Sequence, residues 1–102
     1  MIHNDEATLV TLTASDATVT RTEKTVFCGK RSVGYREFYA AVEVGINPTY
    51  IFEMDLEEYE QACITANSKK YIPTELTYNG VSYNIIRTYE KPDGTIEVTV
   101  SL

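Results

Sequence analysis

The sequence predicts a mainly β domain with one short α-helix: a small, partly open β-barrel or twisted antiparallel sheet with the helix docked on it. Three observations predict this. Eight tyrosines, with many threonines and valines, favour pleated, half-buried surfaces. The C-terminal third alternates apolar and polar residues between strong turn signals. Helical spacing of any length is confined to one stretch in the middle. A chain of 102 residues is one domain's worth, so residues 1–102 are read as a single unit with a flexible polar start at 1–6.

The elements follow in order. Residues 7–13 alternate threonine with aliphatic side chains and read as a short strand, closed by a turn at Ser15-Asp16. Residues 17–28 continue extended, but Arg21, Glu23 and Lys24 mark an exposed stretch or a bulge rather than a buried central strand. Ser32 is a suitable N-cap for a helix over about 33–44. There Tyr35, Phe38, Tyr39 and Val42 make one apolar stripe, Gly45 suits the end, and Pro48 prevents resumption. About three turns are too few to stand alone, so the stripe must dock on a sheet.

From Tyr50 the pattern has period two. Tyr50, Phe52, Met54 and Leu56 alternate with Ile51, Glu53, Asp55 and Glu57, predicting a strand with one buried and one acidic face. Residues 57–72 fit no single element: Leu56, Tyr59, Ala62, Cys63 and Ala66 suit a short helix, Asn67-Ser68 a loop, and Pro73 an end. Leu76 and Tyr78, then Asn79-Gly80, then Val81, Tyr83 and Ile85 spell a hairpin, because Asn-Gly accepts the positive φ angles of a type I′ turn. The following strand runs to Tyr89, Lys91-Pro92-Asp93-Gly94 turns the chain, and Ile96, Val98, Val100 and Leu102 alternate in a last strand. Consecutive hairpins make a meander.

Composition bounds function. Nine Lys and Arg against fifteen Asp and Glu leave a net charge of −6, the wrong sign for gripping a nucleic-acid backbone or an anionic membrane surface. No apolar run approaches a membrane span and the N-terminal residues show no charged n-region followed by an apolar h-region, so a reducing compartment and free thiols at Cys28 and Cys63 are expected.

Catalytic chemistry has little to stand on. His3 is the sole histidine and lies in the polar start, beside Asp5 and Glu6. Neither cysteine has a histidine near it in sequence or sits in a Cys-x-x-Cys pair, and the glycines are too scattered for a phosphate loop. Glu53, Asp55, Glu57, Glu58 and Glu60 cluster, but without the glycine and alternating Asp/Asn of a calcium loop they read as a solvated face. Tyr50, Tyr59, Tyr71, Tyr78, Tyr83 and Tyr89 raise a base-stacking platform as an alternative. Most of these rings fall on the inward phase of strands, which favours core. No catalytic residue, cofactor or metal is assigned.

The ordered features Val26-Phe27-Cys28, Lys30-Arg31-Ser32-Val33, Arg36-Glu37-Phe38-Tyr39-Ala40-Ala41, Gly45, Asn47-Pro48 and Tyr50-Ile51-Phe52-Glu53-Met54 resemble the head-closure (head–tail adaptor) proteins of tailed phages and prophages. The run from Tyr78-Asn79-Gly80-Val81 to Arg87-Thr88-Tyr89-Glu90-Lys91 is similar to that family's closing hairpin, and the likeness covers roughly residues 20–100. It implies a small barrel-like fold with one helix and no enzymatic activity. It also implies a ring of copies below the portal or adaptor, closing the head and offering a docking surface to the tail. Such a part works in the host cytoplasm during assembly and then in the virion neck. It is a homo-oligomer in the virion that can be monomeric in isolation, with portal, adaptor and tail proteins as partners. DNA passes through the lumen without sequence-specific binding. An acidic lumen would let it slide, and a loop from the long 57–72 segment could plug it. The expected contact residues are Lys30, Arg31, Arg36, Glu37, Glu53, Asp55 and Glu57. Competing readings are a tail-completion or tail-terminator protein, a single-strand-binding barrel, and a small hydrolase using the carboxylate cluster.

Overall fold

Threonine-rich alternation at the start of the chain folds as one long hairpin in the computed structural model, which describes residues 3–34 and 48–102. Strands β1 (Asp5–Ser15) and β2 (Thr18–Ser32) pair without a register break, from Asp5 opposite Cys28 to Ser15 opposite Thr18. The turn is Asp16-Ala17, with Asp16 at φ 54, a left-handed conformation that Asp tolerates better than most residues. Asp5 and Glu6, expected to be loose, are the first residues of β1.

Next come β3 (Tyr50–Asp55), α1 (Leu56–Ala62), the small hairpin β4 (Ile64–Ala66) and β5 (Lys69–Tyr71), then β6 (Glu75–Tyr78), β7 (Val81–Glu90) and β8 (Thr95–Ser101). Six strands close a barrel in the order β1-β2-β3-β8-β7-β6. The mainly β class therefore stands, and the barrel is closed rather than partly open. Closure rests on a short antiparallel ladder in which Thr8, Leu9 and Val10 face Thr77, Leu76 and Glu75.

The inward phase of each strand fills the barrel. Ala7 and Leu9, Val26 and Cys28, Phe52 and Met54, Leu76, Tyr83, and Ile96, Val98 and Val100 form one buried cluster. A barrel this narrow is packed with side chains and has no channel. Phe52 lies among Tyr50, Tyr78 and Tyr83, with ring centroids 6.3, 5.2 and 6.4 Å away in tilted or edge-on geometry.

The helix expected over 33–44 falls almost wholly on residues outside those described; Val33 and Gly34 themselves are not helical. Among the described residues the helix is α1, in the segment that resisted assignment. It turns Tyr59 and Ala62 into the core, and the buried hydroxyl of Thr11 donates to the Ala62 carbonyl at 2.7 Å, satisfying an end that a short helix leaves open. Two details correct the sequence reading. The strand at Tyr50 ends at Asp55, so Leu56 and Glu57 belong to α1. The helix stops at Ala62 rather than continuing toward Ala66, because Asn67 and Ser68 take φ 52 and 62 and fold β4 back onto β5 in a tight hairpin.

The C-terminal meander is as expected. Asn79 and Gly80 adopt φ 50 and 77 between β6 and β7, and the Lys91–Thr95 turn closes through Lys91 N–H to the Thr95 carbonyl at 2.9 Å. One feature was not expected. The β7–β8 register steps from Ile85 opposite Val100 to Arg87 opposite Thr99, leaving Ile86 as an extra residue. A bulge of one residue inverts the phase of everything after it. Tyr83 and Ile85 pack on the core side, but Tyr89 emerges on the outer wall with 62% of its surface exposed.

Candidate interaction surfaces

The acidic face expected on β3 is a buried polar knot instead. Ile51 and Glu53 point away from the barrel interior, yet they are only 2% and 6% exposed. The Glu53 carboxylate accepts a hydrogen bond from the Lys91 ammonium on one oxygen and lies 3.0 Å from His3 Nε2 on the other. Lys91 also stands 3.9 Å from Glu97, and Arg31 bonds Glu97 at 3.1 Å. The arrangement follows from register: Glu53 and Glu97 are directly opposite on β3 and β8, and like charges in that position repel. Lys91, reaching from the turn before β8, sits between them. Its hydrogen bond holds the Glu53 carboxyl below the usual glutamate range against the opposing effect of burial, and Glu53 in turn pushes the Lys91 ammonium up. On the other side of Glu53, its β2 neighbour is buried Gly29, which has no side chain to obstruct His3.

The expected contact residues thus separate. Glu53 is a structural pin. Arg31, on the same outer face, is tied to Glu97. Lys30 is on the opposite phase, paired with Phe52 at the barrel mouth, where its Nζ sits 4.5 Å from the Tyr50 ring centroid and 5.1 Å from that of Tyr78. There the ammonium caps the aromatic core by cation–π contact while its tip stays in water. Adjacent in sequence, Lys30 and Arg31 are therefore not one basic patch. Asp55, whose side chain is 63% exposed, and Glu57, exposed in the first turn of α1, are accessible acids. Arg36 and Glu37 lie outside the described residues.

Sequence reasoning missed a groove of about 290 Å³ on the barrel wall, lined by Ile51, Arg87, Thr88, Tyr89, Glu97 and Thr99. Its floor is buried (Ile51 and Thr99), and Arg87 and Tyr89 stand exposed at its side. Arg and Tyr are residue types that carry binding energy at protein interfaces. The only sequence signal was the Ile85-Ile86 doublet, which breaks alternation where the bulge occurs.

The second missed surface is the far half of the β1–β2 hairpin. Among the described residues, β1 past Val10 has no ladder except with β2, and β2 meets β3 only from Cys28 onward, so the two strands project as a ribbon. One flank is braced by the small hairpin, through Tyr71 Oη donating to the Ala14 carbonyl at 3.0 Å. Ile72 follows Tyr71 and precedes Thr74, whose N–H bonds the Val10 carbonyl, so it runs beside β1. Leu12 on β1, Val19 on β2 and Ile72 in the segment beside β1 are 38%, 66% and 51% exposed. On the opposite flank, Thr18 to Val26 pairs with no further strand among the described residues.

Among the described residues, catalytic groups do not converge. No cluster of three or more His, Cys, Asp or Glu suited to a metal occurs among the described residues. Cys28 and Cys63 are free thiols. Burial, with Asp5 and Glu58 adding, pushes Cys28 up to about 11, and burial also raises Cys63. Burial likewise lifts the Tyr59 phenol to about 12. His3 faces Glu53 and, at 3.9 Å, Asp55, not the Asp5 and Glu6 beside it in sequence. In comparisons with known proteins, no family model matches the chain and no curated protein matches its sequence.

Proposed function

We propose that the chain is a structural subunit of a tailed-phage head–tail connector. In this reading it assembles as a ring below the portal or adaptor, closes the head, retains packaged DNA and presents a docking surface to the tail. The observation that carries the reading is that the barrel exposes two unlike surfaces on different elements. One is the Arg87–Tyr89 groove on the wall of β7 and β8. The other is the apolar flank of the projecting ribbon at Leu12, Val19 and Ile72. A ring built from one kind of subunit needs two complementary, non-identical patches on every copy.

Further support comes from the ordered resemblance and from charge. The barrel interior is filled, so any passage for DNA is the hole of the ring and not of the subunit. Exposed acids such as Asp55 and Glu57, with the overall excess of negative charge, suit a lumen that DNA must slide through without sticking. The stacking-platform alternative loses four of its six rings: Tyr50, Tyr78 and Tyr83 pack on Phe52 or on one another, Tyr59 is buried, and Lys30 covers Tyr50 and Tyr78.

The test is light scattering on the purified chain, alone and mixed with a portal or adaptor ring. Stoichiometric binding to the head-side ring is the expected result, with Arg87→Glu weakening it and leaving the melting curve unchanged. Binding to tail tube instead would make the chain a tail-completion protein. Binding to neither would end the connector reading.

A further inference from the structure

We propose that the open edge of β2 is a self-recognition strand, pairing antiparallel with the same strand of a second copy about a two-fold axis at Thr22. This stands independently of the connector reading.

The first ground is energetic. A two-stranded ribbon is marginally stable on its own; here Tyr71 braces the β1 flank, but the residues of β2 from Thr18 to Thr25 are all exposed except Lys24, which is half-buried, and among the described residues they pair with no strand but β1. An edge strand of this length is a template for another strand, and two such ribbons joined edge to edge make a continuous four-stranded sheet, β1-β2-β2-β1.

The second ground is the sequence along that edge, Thr-Val-Thr-Arg-Thr-Glu-Lys-Thr-Val from Thr18 to Val26. Centred on Thr22, antiparallel self-pairing sets Arg21 opposite Glu23 of the second copy and Glu23 opposite its Arg21. Thr22 meets Thr22, Thr20 meets Lys24, Val19 meets Thr25 and Thr18 meets Val26. Directly opposed residues share a face, so both ion pairs form on the outer side, while Thr22 with Thr22, Val19 with Thr25 and Thr18 with Val26 are well-suited β-branched pairs.

Register is selective. Outward-pointing backbone groups alternate along an edge, so an antiparallel partner can slip only by changes that keep like-phased residues opposed. The nearest permitted slips put Arg21 on Arg21 or Glu23 on Glu23. Arg21 already bonds Glu75 of its own chain at 3.0 Å, but its side chain is 50% exposed, and a guanidinium has donors for a second carboxylate.

The experiment is sedimentation velocity over a concentration series, with far-UV circular dichroism as the folding control. Variants are made in a Glu75→Gln background so that the in-chain pair does not intrude. The parent is expected to reach dimer mass. Glu23→Arg turns two attractive pairs repulsive and should raise the dimer Kd on the order of tenfold. Thr22→Lys opposes two like charges at the axis and should give a monomer with an unchanged melting curve. Arg21→Glu with Glu23→Arg exchanges the charges and should restore the dimer. A parent that stays monomeric at every concentration overturns the proposal. So does a Glu23→Arg or Thr22→Lys variant that dimerises as tightly as the parent, or a charge exchange that fails to restore.

Discussion

Two phenylalanines on opposite faces of the barrel wall give the sharpest test of the architecture. Phe52 is fully buried at the centre of the aromatic cluster, and Phe27 is 53% exposed on the outer phase of β2. Truncating Phe52 to alanine removes a ring from a site it shares with Tyr50, Tyr78 and Tyr83. A buried aromatic contributes roughly 150–250 Å², or about 4–6 kcal/mol at 25 cal/mol per Å², of which alanine keeps a part. Measured Phe→Ala costs in cores run at about 3–5 kcal/mol. The upper part of that range is expected here, because the neighbouring rings hang from strands locked in a closed barrel and cannot collapse into the space. A small domain has about 5–15 kcal/mol of total stability, and 1 kcal/mol moves Tm by about 4–8 °C at this size. Phe52→Ala should therefore lower Tm by more than about 12 °C. Phe27→Ala, at an exposed position, should stay within about 0.5 kcal/mol of the parent. Urea melts followed by circular dichroism and tyrosine fluorescence measure both. Equal losses in the two variants, or a Phe52→Ala cost under about 1 kcal/mol, would refute the assignment of strand faces.

Other expectations concern the polar knot, a turn, the thiols and the basic pair. The folded-state pKa of Glu53 lies below its unfolded value, so its contribution to stability is present above the ordinary glutamate range. That contribution is lost as pH falls through the folded pKa. Urea midpoints of parent and Glu53→Gln should differ most at neutral pH and converge only as pH falls below the ordinary glutamate range; parallel curves would show that the carboxylate is not pinned by Lys91. Gly80 has φ +77, and a Cβ added there would meet nothing within 4 Å, so Gly80→Ala should cost only the left-handed penalty, roughly 1–2 kcal/mol, read from the same melts. Native thiol titration with a disulfide reagent should modify half-buried Cys63 well before Cys28, whose thiol is buried and pushed up to about 11; equal rates would contradict the burial of Cys28. Charge reversal at Arg31 should break its bond to Glu97 and lower the urea midpoint, whereas Asp55→Arg should leave it in place while changing partner binding.

Much of the framework was legible because it is written in local chemistry. Asn79-Gly80 and Lys91-Pro92-Asp93-Gly94 impose turns whatever surrounds them, and the period-two runs of Tyr50–Asp55 and Thr95–Ser101 hold their phase along a straight strand. The small hairpin at β4 and β5 could have been found from Asn67, a residue type that tolerates the positive φ adopted there. The contact residues were less legible. Lys30 and Arg31 look alike in a list of charges, yet strand alternation sends one to the barrel mouth and the other to the outer wall.

By itself, then, the sequence determined a mainly β domain of hairpins with a short helical turn and an inward set of aromatic and aliphatic residues, since each depends on side-chain type and spacing along the chain. Only the tertiary structure decided that the barrel closes, that Glu53 is buried rather than displayed, and that Tyr89 is turned outward by a one-residue bulge. It also decided that β1 and β2 outrun the barrel as a ribbon whose β2 edge pairs with no further strand among the described residues. Each of these depends on which strands meet and in what register. That is a property of pairs of segments far apart in the chain, and no local pattern encodes it.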